Sequence, residues 1–100
     1  MVATGQHPLA IVVGCSDSRV PPELLFDIGL GDLFVVRVAG EVVDEVVLAS
    51  VEYAAHVLGT DLIIVLGHSG CGAVKAALGP DAATGHIPVL LQLLQPAISL

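Results

Sequence analysis

Cys15, Asp17 and Arg19 occupy alternate positions in the stretch IVVGCSDSRV (11–20), directly after an apolar run. Further along, GHSGCG sets His68 and Cys71 in the spacing His-x-x-Cys. Two thiolates and one imidazole are a donor set for zinc. Three protein ligands leave a fourth tetrahedral corner for water, the mark of a catalytic ion rather than a structural one. His-x-x-Cys puts two donors about one helical turn apart, so that both can close on one ion while the distant Cys15 supplies the third bond. Gly70 and Gly72 let the backbone pass close to that ion, and a helix starting at Cys71 favours its thiolate.

A Cys₂His site is electrically neutral once Zn²⁺ is counted, so it acidifies water less than an all-histidine site and calls for help nearby. Asp17 can supply it by accepting a hydrogen bond from zinc-bound hydroxide and so aiming the nucleophilic oxygen. Arg19 can grip Asp17 through a bidentate pair, keeping the carboxylate ionised and off the metal. Each residue has a plainer reading when taken alone: a core cysteine, a surface ion pair, a satisfied buried histidine. Their joint occurrence at matching strand ends favours the metal site. His7, His56 and His86 read as solvent-facing, and Arg37, inside an apolar strand, as the partner of an acid, within the chain or across an interface.

These side chains can converge only if particular elements carry them. LAIVV (9–13), LFVVRV (33–38) and LIIVL (62–66) read as strands buried by the helices between them. PPELLFDI opens with prolines suited to a first helical turn. Asp44 caps a helix running to Gly59 with Val47, Val51, Ala54 and Leu58 on its apolar face. A further helix follows Cys71. The alternation predicts an α/β fold: a parallel sheet core of three strands with flanking helices. If the first and third strands are neighbours, as in the order 2-1-3, Cys15 and His68 emerge side by side at the carboxyl ends of strands, where open parallel sheets bind ligands. The whole of 1–100 reads as a single domain with its core over roughly 5–78. Residues 79–100 form a loop and a helical tail interrupted at Pro96.

Composition bounds the partners. Three basic residues against ten acidic ones, a net charge of −7, leave nothing to neutralise a phosphate backbone. Nucleic acid is not a partner. No apolar run reaches the roughly 20 residues that span a bilayer. The start MVATGQHPLA lacks a signal peptide's basic region and cleavage pattern, so a cytoplasmic setting is expected. In a reduced compartment the two cysteines read as metal ligands rather than a disulfide. The 55% apolar content exceeds the roughly 45–50% of ordinary globular usage. With open sheet edges besides, it points to a homodimer or higher homo-oligomer, or to a place within something longer.

The segments CSDSRVPPELLFDIGLGDLFVVR, SVEYAAHVLG and VLGHSGCGAV resemble those of the β-class carbonic anhydrases, over about Gly5 to Leu78. The resemblance implies Zn²⁺ on Cys15, His68 and Cys71, an Asp17–Arg19 dyad, and reversible hydration of carbon dioxide to bicarbonate. It also implies an active site at a dimer interface, with Gln6, Phe34 and Tyr53 at positions that plant-type members supply from the neighbouring chain. Ala39 and Gly72 fall where the family lines its substrate pocket. Gln6 stands where the allosteric bacterial subtype has Trp, so the open-site subtype is implied. Where the family commonly shows R-N-x-x-N, this chain reads RVAGE, placing the Glu41 charge near the expected pocket or interface. Family members also carry N-terminal helices and a fourth strand that this sequence does not show. Two other readings keep the metal site: a hydrolase of CS₂ or COS, and a shortened zinc-binding or dimerisation module without catalysis.

Overall fold

The run Ala10–Gly14 is β-branched at its centre and forms β1, every residue of which is buried. In the structure, a computed structural model describing residues 5–79 and 84–98, this strand lies in the middle of the sheet. Leu33–Arg37 forms β2 and Ile63–Leu66 forms β3, and both pair with β1 in parallel, giving the order β2-β1-β3 expected from the sequence. Ile11 and Val12 are completely buried, each burial worth about 1.5–3 kcal/mol. The register places Arg37 of β2 and Leu66 of β3 on either side of Gly14. All three strands therefore end together, which brings the loops after β1 and β3 to one rim of the sheet.

Helix α1 is short, Pro22–Leu25, and begins with proline where a missing N–H costs nothing. Helix α2, Glu45–Glu52, is capped as expected: the Asp44 carboxylate accepts from the Val47 N–H at 2.8 Å. It does not run to Gly59 as a uniform α-helix. From Tyr53 to Val57 it widens into a π-type turn, with the Leu58 N–H donating to the Tyr53 carbonyl five residues back. Gly59, at φ +72°, reverses the chain, and the Thr60 N–H closes on the Ala54 carbonyl. The apolar face survives the widening, with Val47 and Ala54 buried and Val51 and Leu58 half-buried.

Helix α3 spans Gly72–Leu78 and α4 spans Ile87–Ile98. Pro96 does not interrupt α4 as expected. It sits in the last turn, where losing one N–H and crowding one carbonyl leaves only two further residues to hold. The loop expected between α3 and α4 falls mainly on residues 80–83, outside the described residues. Leu94 of α4 is buried against the tight turn Ala39–Glu41: a Cβ on Gly40 would lie 3.1 Å from Leu94 and Ala73 side-chain atoms. On the other flank β3 is bare, with Ile63 and Val65 about half and more than two-thirds exposed. Among the described residues, no helix is long and apolar enough to cross a membrane.

Candidate metal centre

Cys15 follows directly on β1, His68 lies two residues past β3, and Cys71 caps the start of α3. Their donor atoms lie within 4.8 Å of one another, although 53 residues separate Cys15 from His68. Neither cysteine is in a disulfide. The His68 ring is held by its Nδ1, which donates to the Ser69 carbonyl at 2.9 Å. With Nδ1 committed, Nε2 is the nitrogen left to ligate, and it is buried with no hydrogen-bond partner. An unpaired buried nitrogen costs about 1–3 kcal/mol. Beside two sulfurs, this is the donor arrangement a tetrahedral metal ion satisfies, so the residues present fit zinc.

Burial pushes the Cys15 thiol up. The neighbouring His68, the Gly40 N–H, the Asp17 backbone and Cys71 outweigh it and bring the thiol down to about 7. The Gly40 N–H lies 3.2 Å from Cys15 Sγ. The same neighbourhood raises His68, chiefly through the Cys15 sulfur and then the Ser69 carbonyl.

Asp17 and Arg19 pair as expected. Arg19 Nε donates to Asp17 Oδ1 at 2.9 Å, Nη2 to Oδ2 at 2.6 Å, and the Arg19 backbone N–H to Oδ1 at 2.8 Å. These bonds hold the Asp17 carboxyl far below the usual carboxylate range. Arg19 Nη2 also reaches the Gly70 carbonyl at 3.0 Å, tying the loop after β1 to the loop after β3. Gly70 stands at φ +66° with the Arg19 guanidinium 3.6 Å from where its Cβ would be, so glycine answers here to backbone geometry and to Arg19. Asp17 Oδ2 lies 3.8 Å from His68 Nδ1.

The residues expected to line the pocket divide between two places. Ala39 stands beside Gly40 in the turn that touches Cys15, and Gly72 opens α3 with nothing within 4 Å of its Cβ position. Phe34 and Tyr53 stack with ring centroids 6.1 Å apart. Phe34 pairs with Ile11, however, four residues before Cys15 and so about 13 Å back along the strand. Gln6 lies at the amino end of β2, around an open hollow with Glu23, Leu30, Gly31 and Leu33. Gln6, Phe34 and Tyr53 therefore stand apart from this chain's own Cys15–His68–Cys71 cluster. A cavity of about 290 Å³ between α2 and α4, lined by Val38, Val42, Val47, Val89, Leu90 and Leu93, contains none of the cluster either.

Within this chain, no acid among the described residues pairs with Arg37. Instead Nε donates to the Cys15 carbonyl at 2.8 Å, and Nη2 to the Asp17 carbonyl at 2.6 Å and the Val20 carbonyl at 3.5 Å. The last residue of β2 sits beside the loop after β1, where carbonyls are the acceptors within reach. His7, His56 and His86 are exposed, as expected. Sequence reasoning missed the Gly40 N–H and the Ser69 carbonyl, which are backbone groups; the one available signal was the glycine in RVAGE, which stands at φ +72°.

A family model described as carbonic anhydrase matches residues 10–100. Carbonic anhydrase 2 of Mycobacterium tuberculosis is 61% identical over an alignment of 103 positions that covers 99% of this chain and 50% of that protein. The carbonic anhydrase of Mycolicibacterium smegmatis is 52% identical over 95% of this chain and 48% of its own length. Among solved structures, one of two tetrameric β-carbonic anhydrases of Sordaria macrospora superposes with a TM-score of 0.90 at 34% identity, over 97% of this chain and 51% of that one. The chain spans about half the length of the curated relatives it matches. With the match of the family model, the extent of identity and the shared fold, the chain belongs to the carbonic anhydrase family, in its β class.

Proposed function

We propose that Cys15, His68 and Cys71 hold one zinc ion and that the site catalyses the reversible hydration of carbon dioxide to bicarbonate. One observation carries this reading: the buried, unpartnered His68 Nε2 set between two free thiols, with an ionised carboxylate beside it. The ion, when bound, supplies Lewis acidity that brings the pKa of water toward neutrality. The chain's own residues do the rest. Asp17 carries a negative charge at any working pH because Arg19 occupies both of its oxygens. With the guanidinium on one side of each oxygen, a remaining lone pair of Asp17 accepts a hydrogen bond from the attacking oxygen and so turns that oxygen toward the carbon. Ala39 keeps the rim of the turn small and apolar, which suits an uncharged linear substrate, and Gly72 leaves room at the start of α3.

Gln6, Phe34 and Tyr53 we assign to the site of a partner copy, forming a homodimer of the open-site subtype. Supporting this are their separation from the chain's own cluster and the tetrameric state named for the similar Sordaria macrospora enzymes. We assign the protein to a reducing compartment, the cytoplasm, because both cysteines are free and ligand thiolates must stay reduced.

The test is elemental analysis together with stopped-flow hydration of carbon dioxide, run beside CS₂ hydrolysis on the same sample. The expected result is about one zinc per chain, lost in Cys15→Ser and His68→Ala, with hydration that Asp17→Asn abolishes. Full metal in those ligand variants would refute the site. Zinc without hydration above background would leave a binding module, and turnover of CS₂ alone would change the substrate.

A further inference from the structure

Resting on that reading of the metal centre, we propose that Arg37 is a positioning residue: one guanidinium, donating at once to the carbonyls of Cys15 and Asp17, sets the loop that carries a metal ligand and the orienting carboxylate. The two bonds, at 2.8 and 2.6 Å, hold peptide units two residues apart. Most other ties of this loop are local, from Arg19 and Val20 back to Asp17. Local bonds fix the shape of the turn and leave its tilt on the sheet free. Beyond them, Arg19 ties the loop to the Gly70 carbonyl and the Gly40 N–H reaches Cys15 Sγ, whereas among the described residues Arg37 alone anchors the loop's own carbonyls to the sheet: it is the last residue of β2 and stands in register with Gly14, immediately before the ligand. A rotation of the Cys15–Ser16 link would move Sγ and the Asp17 carboxylate together, and both carbonyls would have to leave the guanidinium for it to occur. No acid among the described residues competes for the fork, so the half-buried cation is committed to main-chain oxygens. Lysine cannot replace it, since a single ammonium lacks the planar, divergent donors that span both carbonyls.

The test uses Co(II) as probe in the full chain, with Arg37→Met, which keeps an apolar stem and removes the donors, and Arg37→Lys. Four quantities are read: circular dichroism, Co(II) affinity by chelator competition, the Co(II)–thiolate absorption bands, and kcat and KM for carbon dioxide. A folded Arg37→Met is expected to bind Co(II) about 10–100-fold more weakly, with displaced absorption bands and a lowered kcat at unchanged KM. Arg37→Lys is expected to show the same changes in smaller measure, and added guanidinium ion to restore part of the spectrum of Arg37→Met. Wild-type affinity and bands in a folded Arg37→Met would overturn the proposal. Should that variant not fold, Arg37→Lys decides: displaced bands support the clamp and wild-type bands overturn it. A wild-type chain that binds Co(II) but leaves carbon dioxide untouched would overturn the proposed reaction alone, and the spectra of the two variants would still decide the role of Arg37.

Discussion

Arg19 grips both oxygens of Asp17, at 2.9 and 2.6 Å, and with the same Nη2 reaches the Gly70 carbonyl across the mouth of the sheet at 3.0 Å. The Asp17 charge and the distance between the two ligand loops therefore depend on one mostly exposed side chain. In Arg19→Lys the fork is lost while a positive charge stays. Stopped-flow assays should show kcat for carbon dioxide hydration falling about 100-fold through misplacement of Asp17, with zinc content unchanged. Hydration at the wild-type rate would show that Asp17 needs no holding.

If Gln6 serves a neighbour's site while Asp17 serves its own, mixing two inactive variants restores activity. Gln6→Ala and Asp17→Asn chains, denatured and refolded together in equal amounts, form mixed dimers that each hold one intact site. Recovery of roughly a quarter of wild-type activity is expected from random two-fold pairing. A mixture no more active than its components would place Gln6 and Asp17 in the same chain's site, or Gln6 in none.

The parts of this site that were legible in the sequence are those encoded locally. The β-branched core of β1 is buried at every residue, Asp44 caps α2, and the alternation of strands and helices marks a parallel sheet; the meeting of Cys15 with His68 and Cys71 could be foreseen on the condition that β1 and β3 are neighbours, which the order β2-β1-β3 meets. Main-chain partners could not. Arg37 in an apolar strand suggested an ion pair, yet the structure gives it carbonyls, because acceptors made by a loop have no residue type to read. The π-type turn at Tyr53–Val57 was equally hidden, since the apolar spacing of Val47, Val51, Ala54 and Leu58 is that of an ordinary helix.

Zinc uptake should weaken in acid. Cys15 binds metal as thiolate and His68 as neutral imidazole. The Cys15 thiol lies at about 7, so it carries a proton below neutrality and releases it on binding, and the raised His68 acts in the same direction. Between pH 8 and pH 6 the apparent affinity should fall at least about tenfold from Cys15 alone. Chelator competition at the two pH values measures it, and calorimetry in buffers of different ionisation enthalpy counts the protons. An affinity flat across this range would contradict the protonated thiol.

Glu41 adopts φ +57°, a conformation costly for a residue with a long side chain, and its burial raises the carboxyl above the ordinary value. A raised acid stabilises the fold fully below its unfolded pKa, and that contribution is lost as pH rises through the folded value. Glu41→Asn, better suited to the left-handed region, should stabilise the chain by about 1 kcal/mol at pH 7. The gain should shrink at pH 4, below the ordinary carboxylate value, where the raised Glu41 carboxyl is protonated. Urea midpoints at the two pH values check this, and a midpoint lowered at pH 7 would show that the carboxylate is favourable where it stands.

The bare flank of β3 bears on how the molecule behaves in bulk. Ile63 and Val65 stand beside a row of main-chain groups that no strand pairs among the described residues, a ready template for foreign strands. A net charge of −7 keeps copies apart at neutral pH. Titrating the chain toward its isoelectric point near 4.6 removes that repulsion while the sticky edge persists, so clouding on acidification, relieved by returning the pH, follows from the open side of the sheet rather than from unfolding.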